Sequence, residues 1–323
     1  MALTDEGIIE VPGLASRWVR LASGAKAHYV TSGDSGPAVL LLHGGLPGSS
    51  GTAGWRFMAP FLGAHGFRVY APDMPGYGLS DTSPEHRPRG LHTQVDFIHE
   101  FVTALCLDQF HISGNSMGCM NAVNYIVAHP EKILSFALIA GDFGDVTAHL
   151  LPRPEGAFKP DYDGTPESMR SNMAAIIYRP EAISDDLVNM RVSASHRHAE
   201  GAPEYFKAMM EYVNGTMSDP NIAARLSTKG RFDKLTIPGV YLYGQDDVLC
   251  PVEWGYAQET AVPNVQFFFP AETGHQGQTD QPELFNQLFL EFFRDGKVSR
   301  QTADAAGISK NRPELAHLVE QGQ

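Results

Sequence analysis

The sequence predicts an α/β fold built on a mostly parallel sheet, and three observations carry that prediction. Short apolar runs rich in β-branched and aromatic residues alternate with longer amphipathic stretches, the rhythm of repeated strand–helix–strand units. A glycine-flanked turn, Gly114-Asn115-Ser116-Met117-Gly118, joins one such run to a helical pattern. The 323 residues, 43% hydrophobic and 19% charged, are enough for one large core carrying an inserted subdomain.

Taken in order, residues 18–21 and 27–31, separated by Ser23-Gly24, read as an antiparallel hairpin leading into the sheet. Residues 39–42, 68–71, 111–113, 136–140, 240–243 and 265–269 read as buried strands, which brings the expected sheet to eight strands. Residues 95–105 place Val95, Ile98, Val102 and Leu105 on one helical stripe, and residues 117–128 form a second helix that stops before Pro130. From 143 to 231 the strand rhythm ceases, and Pro152, Pro154, Pro160, Pro166, Pro180 and Pro203 punctuate short helical patterns. This stretch is expected to be a helical cap inserted after the sixth strand, between core segments 1–142 and 232–294. Six of the eleven methionines lie in it, with several aromatics, a composition that suits either an adaptable apolar pocket or a small helical core. The tail, 295–323, is polar apart from Leu315, Leu318 and Val319, and reads as an oligomer arm or a disordered end.

A net charge of −13 disfavours phosphate backbones and anionic membrane surfaces, so nucleic acid and membrane are not expected partners. Cys106, Cys119 and Cys250 show neither paired nor metal-ligand spacing, which suits a reducing compartment and predicts no metal. The first ten residues carry Asp5 and Glu6 and no basic segment followed by an apolar run, so the expectation is cytoplasmic residence. No cofactor motif is present: the serine-bearing turn lacks the G-x-G-x-x-G spacing of dinucleotide sites.

The chemistry starts at Ser116. A strand-to-helix turn this tight forces its central residue into a strained conformation, and glycines two positions to either side leave room for it. The serine hydroxyl needs a base, and the base needs an orienting acid. His275, in Thr273-Gly274-His275, follows the last strand. Asp246 and Asp247 end the turn after residues 240–243, and the fourth position of that turn favours Asp247, with Asp142 held in reserve. After residues 39–42, His43-Gly44-Gly45-Leu46-Pro47-Gly48 reads as an anion-stabilising loop in which the backbone N–H groups of Gly45 and Met117 converge. His43 is expected to be structural, as is the turn Asp73-Met74-Pro75-Gly76-Tyr77-Gly78.

With these motifs in place the chain resembles the α/β-hydrolase superfamily from about residue 18 to residue 293. It is most similar to the meta-cleavage-product hydrolases, whose nucleophile turn also reads G-N-S-M-G. The resemblance implies carbon–carbon bond hydrolysis of ring-opened aromatic dienoates and a cap arginine, here Arg191, that holds a substrate carboxylate. It departs in having Gln276 directly after the histidine where those enzymes carry tryptophan. A weaker resemblance is to bacterial zearalenone lactonases of the same fold. The leading expectation is therefore a serine hydrolase that opens an ester or lactone of a bulky apolar small molecule through an acyl-enzyme, with C–C hydrolysis as the alternative. Arg191, Asn115, Gly44, Leu46, Met173, Tyr178 and Gln276 are the candidate substrate contacts, and a homo-oligomer is allowed.

Overall fold

The computed structural model describes residues 3–151 and 162–322. Its centre is an eight-stranded sheet in the order β1-β2-β4-β3-β5-β6-β7-β8. The strands are β1 (Ala15–Arg20), β2 (Lys26–Ser32), β3 (Ala38–Leu42), β4 (Arg68–Pro72), β5 (Phe110–Asn115), β6 (Ile133–Ile139), β7 (Gly239–Leu242) and β8 (Val265–Phe268). β2 pairs antiparallel with β1 and β4, and every other pairing is parallel. The hairpin and the six buried strands thus lie where the hydrophobic rhythm predicts, with ends differing by at most three residues.

Burial explains the strand sequences. Ala38-Val39-Leu40-Leu41-Leu42 is buried throughout, as is β5, because helices cover both faces of the parallel part of the sheet. The helix Met117–Ala128 is buried on nearly its whole circumference, since it lies between the sheet and the helix Leu91–Ala104. Two apolar clusters, one on each face, divide the interior.

Between β6 and β7 the described residues form helices and turns only. The main helices are Pro166–Ala174, Asp185–Arg197, Ala202–Val213 and Pro220–Arg225. Thr165, Ser184 and Asp219 cap three of these through side-chain oxygens, a local reason for where each begins. Pro166, Pro203 and Pro220 sit in first turns, where proline costs no hydrogen bond. Pro152, Pro154 and Pro160 lie outside the described residues. Among the described residues, no helix is long and apolar enough to cross a membrane.

The tail is ordered, against the disordered alternative of the sequence reading. It carries a capped helix, Arg300–Ala305, and its apolar trio folds inward, with Leu318 and Val319 essentially inaccessible. Phe269 N donates to Gly307 O at 2.8 Å, and Ser309 N donates to Phe267 O at 3.0 Å. The tail therefore satisfies the outer edge of β8, which would otherwise present unpaired backbone groups.

Candidate active site

The carboxyl ends of β3, β5, β6, β7 and β8 converge, as they must in a twisted parallel sheet, and each feeds one loop of the site. Ser116 follows β5 and has φ +57° and ψ −119°, a strained backbone for a residue with a side chain. The two glycines of the turn are dictated by space. A Cβ on Gly114 would lie 2.0 Å from Gly118 O, and one on Gly118 would lie 2.1 Å from Leu42 O. Ser116 N donates to Ile139 O at 2.9 Å, and Cys119 N and Met120 N return to Ser116 O, which starts the helix directly beneath it.

His275 is 2% exposed. Its Nδ1 meets Asp247 Oδ2 at 2.7 Å, so the carboxylate that orients the imidazole is Asp247, while Asp142 Oδ1 accepts from Gly144 N. Asp247 is held in turn by Leu249 N and Cys250 N, both 2.9 Å from its Oδ1. Burial disfavours a charged imidazole, but the adjacent Asp247 carboxylate, with Cys250 behind it, lifts the His275 pKa to about 10. The Nε2 of His275 is buried and makes no hydrogen bond among the described residues. Asn115 Nδ2 donates to His275 O at 2.9 Å, which ties the histidine loop to the residue preceding Ser116.

Backbone ties from two further elements fix the histidine. Its N–H donates to Ile176 O of the cap at 2.9 Å, and Gly274 N donates to Asp280 Oδ2 at 2.8 Å. Asp280 also accepts from Arg179 N, and burial holds its carboxyl above the usual range. Neither Asp280 nor Ile176 carries a motif, and only the three-dimensional arrangement reveals them.

The loop after β3 packs directly on the serine turn. A Cβ on Gly45 would lie 3.0 Å from Met117 Cβ and Sδ, and one on Gly44 would lie 3.5 Å from Ser116 Cβ. Backbone at Gly45 and Met117 can therefore approach one developing oxyanion. His43 is buried and its pKa is lowered, chiefly by desolvation. Its ring spans the loop, with Nδ1 donating to Gly44 O and Nε2 accepting from Met74 N. Asp73 is equally structural: it accepts from Gly51 N and Leu79 N and faces His28 Nδ1 at 2.7 Å.

Ser116 opens onto a cavity of about 870 Å³ walled by Gly45, Leu46, Met117, Leu249, Cys250 and Trp254 from the core and by Tyr205, Phe206, Met209 and Met210 from the cap. Leu46, one of the candidate substrate contacts, lies on this wall. The other candidate contacts do not form the described wall. Arg191 is fully buried, and its guanidinium donates to Pro47 O through Nε at 3.2 Å and Nη2 at 2.8 Å, and to Ser49 Oγ at 3.3 Å. Desolvation lowers its pKa to about 10. Met173 is 1% exposed in the apolar cluster on the other face, and Tyr178 is 45% exposed. Gln276 opens the short helix Gly277–Asp280, while Gly44 and Asn115 act through backbone fit and the His275 tie. Tyr205, Phe206, Met209 and Met210, which the sequence offers only within the cap's general methionine and aromatic population, lie on the strongly amphipathic helix Ala202–Val213, whose periodicity marks a buried face without saying that a cavity lies under it.

A strained serine, a buried His–Asp pair and a glycine-rich loop at the ends of adjacent parallel strands define a serine hydrolase of the α/β-hydrolase fold. The chain belongs to that family: the alpha/beta hydrolase fold model matches residues 37–282. Among curated proteins it is similar to the 2-hydroxy-6-oxo-6-phenylhexa-2,4-dienoate hydrolase of Comamonas testosteroni, 28% identical over 273 residues, covering 83% of this chain and 91% of that one. It is also similar to the 2-hydroxy-6-oxononadienedioate/2-hydroxy-6-oxononatrienedioate hydrolase of Paraburkholderia phymatum, 26% identical, covering 90% and 99%. Of solved structures, a serine hydrolase involved in carbazole degradation superposes with a TM-score of 0.70 at 24% identity, covering 86% and 98% of the two chains. The 2-hydroxy-6-oxo-6-phenylhexa-2,4-dienoate hydrolase from Rhodococcus sp. strain RHA1 gives 0.69 at 23%, covering 87% and 99%. At these identities the structural matches establish the fold.

Proposed function

We propose that this serine hydrolase cleaves the carbon–carbon bond beside a ketone in a ring-opened aromatic 2-hydroxy-6-oxo-dienoate, with Ser116 as nucleophile, His275 as base and Asp247 as its orienting acid. The observation that carries the reading is the placement of Ser116 and the Gly45–Met117 pair at the floor of a large cavity with an aromatic and methionine wall. That wall suits the aryl ketone half of such a substrate, the half that the names of the two phenylhexadienoate hydrolases among the curated relatives describe. The dienol first ketonises. Ser116 Oγ then loses its proton to His275 and adds to the C6 carbonyl, and the oxyanion faces the Gly45 and Met117 N–H groups. Collapse breaks the C5–C6 bond, a proton goes to C5, and water releases the acyl half from Ser116 as a carboxylic acid.

A second reading, hydrolysis of an ester or lactone of a bulky neutral substrate, has one specific observation behind it. Arg191, the cation that the family resemblance assigns to the dienoate carboxylate, is committed to Pro47 and Ser49. A neutral substrate has no need of it. The two readings share the catalytic residues and part at the substrate, so one panel separates them: aryl dienoates, macrolactones and nitrophenyl esters, each with wild type and Ser116→Ala. Under the first reading the dienoate is turned over with the highest kcat/KM. Efficient lactone turnover with dienoates ignored overturns it in favour of the second.

A further inference from the structure

The sequence spacing of the cysteines gives no hint of a metal site, yet the fold brings Cys250 to the catalytic pair. One ligand-capable atom from each of Asp247, Cys250 and His275 lies within 4.8 Å of the other two. In a tetrahedral zinc site, bonds of about 2.3 Å to sulfur and about 2.0 Å to an imidazole nitrogen set the two donors about 3.5 Å apart, a separation that a side-chain rotation of Cys250 can reach.

Three features distinguish this cluster from a chance grouping. His275 Nε2 is buried and without a hydrogen-bond partner among the described residues, so no protein group competes with an ion for that nitrogen once its proton is displaced. Its Nδ1 is already held by Asp247, the carboxylate–histidine arrangement that fixes the tautomer for a metal at the other nitrogen. Cys250 lines the cavity beside Ser116, so an ion reaches the cluster by the substrate's route.

We propose that Cys250 and His275, oriented by Asp247, form an inhibitory site for a thiophilic divalent cation of the zinc class. As the ion binds, the thiol of Cys250 and the protonated ring of His275 each give a proton to solvent, and Sγ and the freed lone pair of Nε2 bond to the metal. The ring then has no lone pair with which to accept the Ser116 proton, and hydrolysis stops. Hard cations such as Mg²⁺, which prefer oxygen donors, do not act in this way. The binding step stands on the Asp247–Cys250–His275 geometry and does not depend on which substrate the enzyme takes.

The test uses Co²⁺ as a spectroscopic probe and Zn²⁺ as the inhibitor. In wild type and in Ser116→Ala, Co²⁺ is expected to give a thiolate-to-metal charge-transfer band that Zn²⁺ bleaches and a chelator removes. Cys250→Ser and Cys250→Ala are expected to lose the band. In each Cys250 variant, the Zn²⁺ concentration that halves its own metal-free rate rises by about tenfold or more. Absence of the band in wild type, or half-inhibition of both Cys250 variants at the wild-type Zn²⁺ concentration, overturns the proposal. Because Ser116→Ala reports binding without turnover, failure here is distinguishable from failure of the catalytic assignment.

Discussion

The two sides of the active-site cavity are built by different rules. On the core side each functional group is fixed by backbone: Ser116 by a turn that admits no side chain at Gly114 or Gly118, and His275 by N–H and C=O ties to Ile176, Asn115 and, through Gly274, Asp280. On the cap side the wall is a helix face, Tyr205, Phe206, Met209 and Met210, positioned by packing. Backbone geometry tolerates almost no substitution at these points, whereas packing accepts many side chains of similar volume. Catalysis is therefore concentrated in residues that cannot vary, and substrate choice in residues that can.

The largest effect expected from breaking this contrast is at Ser116. Ser116→Ala should lower kcat by about 10⁴-fold or more while leaving the protein folded, since it removes the nucleophile and spares the glycines that shape the turn. Single-turnover kinetics with thermal unfolding as a control measures both. Retention of even a tenth of the activity would remove Ser116 from the mechanism.

Next comes the His275–Asp247 pair. A general base must be neutral, and a partner that favours the protonated ring moves the acid limb of kcat/KM to higher pH. With the folded pKa lifted above the ordinary 6.5, activity should climb with pH beyond that value. Asp247→Asn should lower kcat by about 10³-fold or more and move the limb toward lower pH, because the charge that raises the ring's pKa is gone. A pH–rate profile of the variant that keeps the wild-type limb would show that another group governs it.

Arg191 sharpens the comparison, because it is a cap residue acting on the core. It is one of the largest fully buried side chains, and a Cβ on Gly48 would lie 2.0 Å from its carbonyl oxygen, so the cap backbone and the loop after β3 are in direct contact. Arg191→Ala should destabilise the fold by about 3 kcal/mol, from a cavity and from polar groups left without partners. It should also lower kcat for a neutral nitrophenyl ester, which has no carboxylate to bind. A loss confined to KM for anionic dienoates would instead restore Arg191 to the substrate.

How far the sequence could be read follows the same division. The strands, the serine turn and the pairing of Asp247 with His275 were legible because each is marked by a local run or bound to a strand end by spacing along the chain. The role of Arg191 was not, because whether a cap arginine faces a cavity or a carbonyl depends on how the cap sits on residues 47–49, about 140 positions away. The cap methionines divide in the same manner: Met169, Met173 and Met190 fill the apolar cluster, while Met209 and Met210 line the cavity. Composition sees one population where the fold makes two. The tail was read incompletely for a related reason, since Leu315, Leu318 and Val319 are too few to signal a packed element, and they pack into the core cluster beside Val298 while Ile308 bridges the edge of β8.

The smallest expected effect tests the cap wall itself. Phe206 and Met210 face the cavity and take no part in the backbone network around Ser116, so truncating them removes apolar contact area without moving a catalytic group. Met210→Ala should raise KM for a bulky aryl substrate by about tenfold, the order expected from losing a few buried methylene equivalents, with kcat changed little. For a small acetate ester, which does not reach that wall, both constants should stay near wild type. Equal losses on both substrates would mean that the helix Ala202–Val213 joins Ile176 and Arg191 in holding the catalytic loops in place, and the division between an invariant floor and an adaptable wall would have to be redrawn with that helix on the catalytic side.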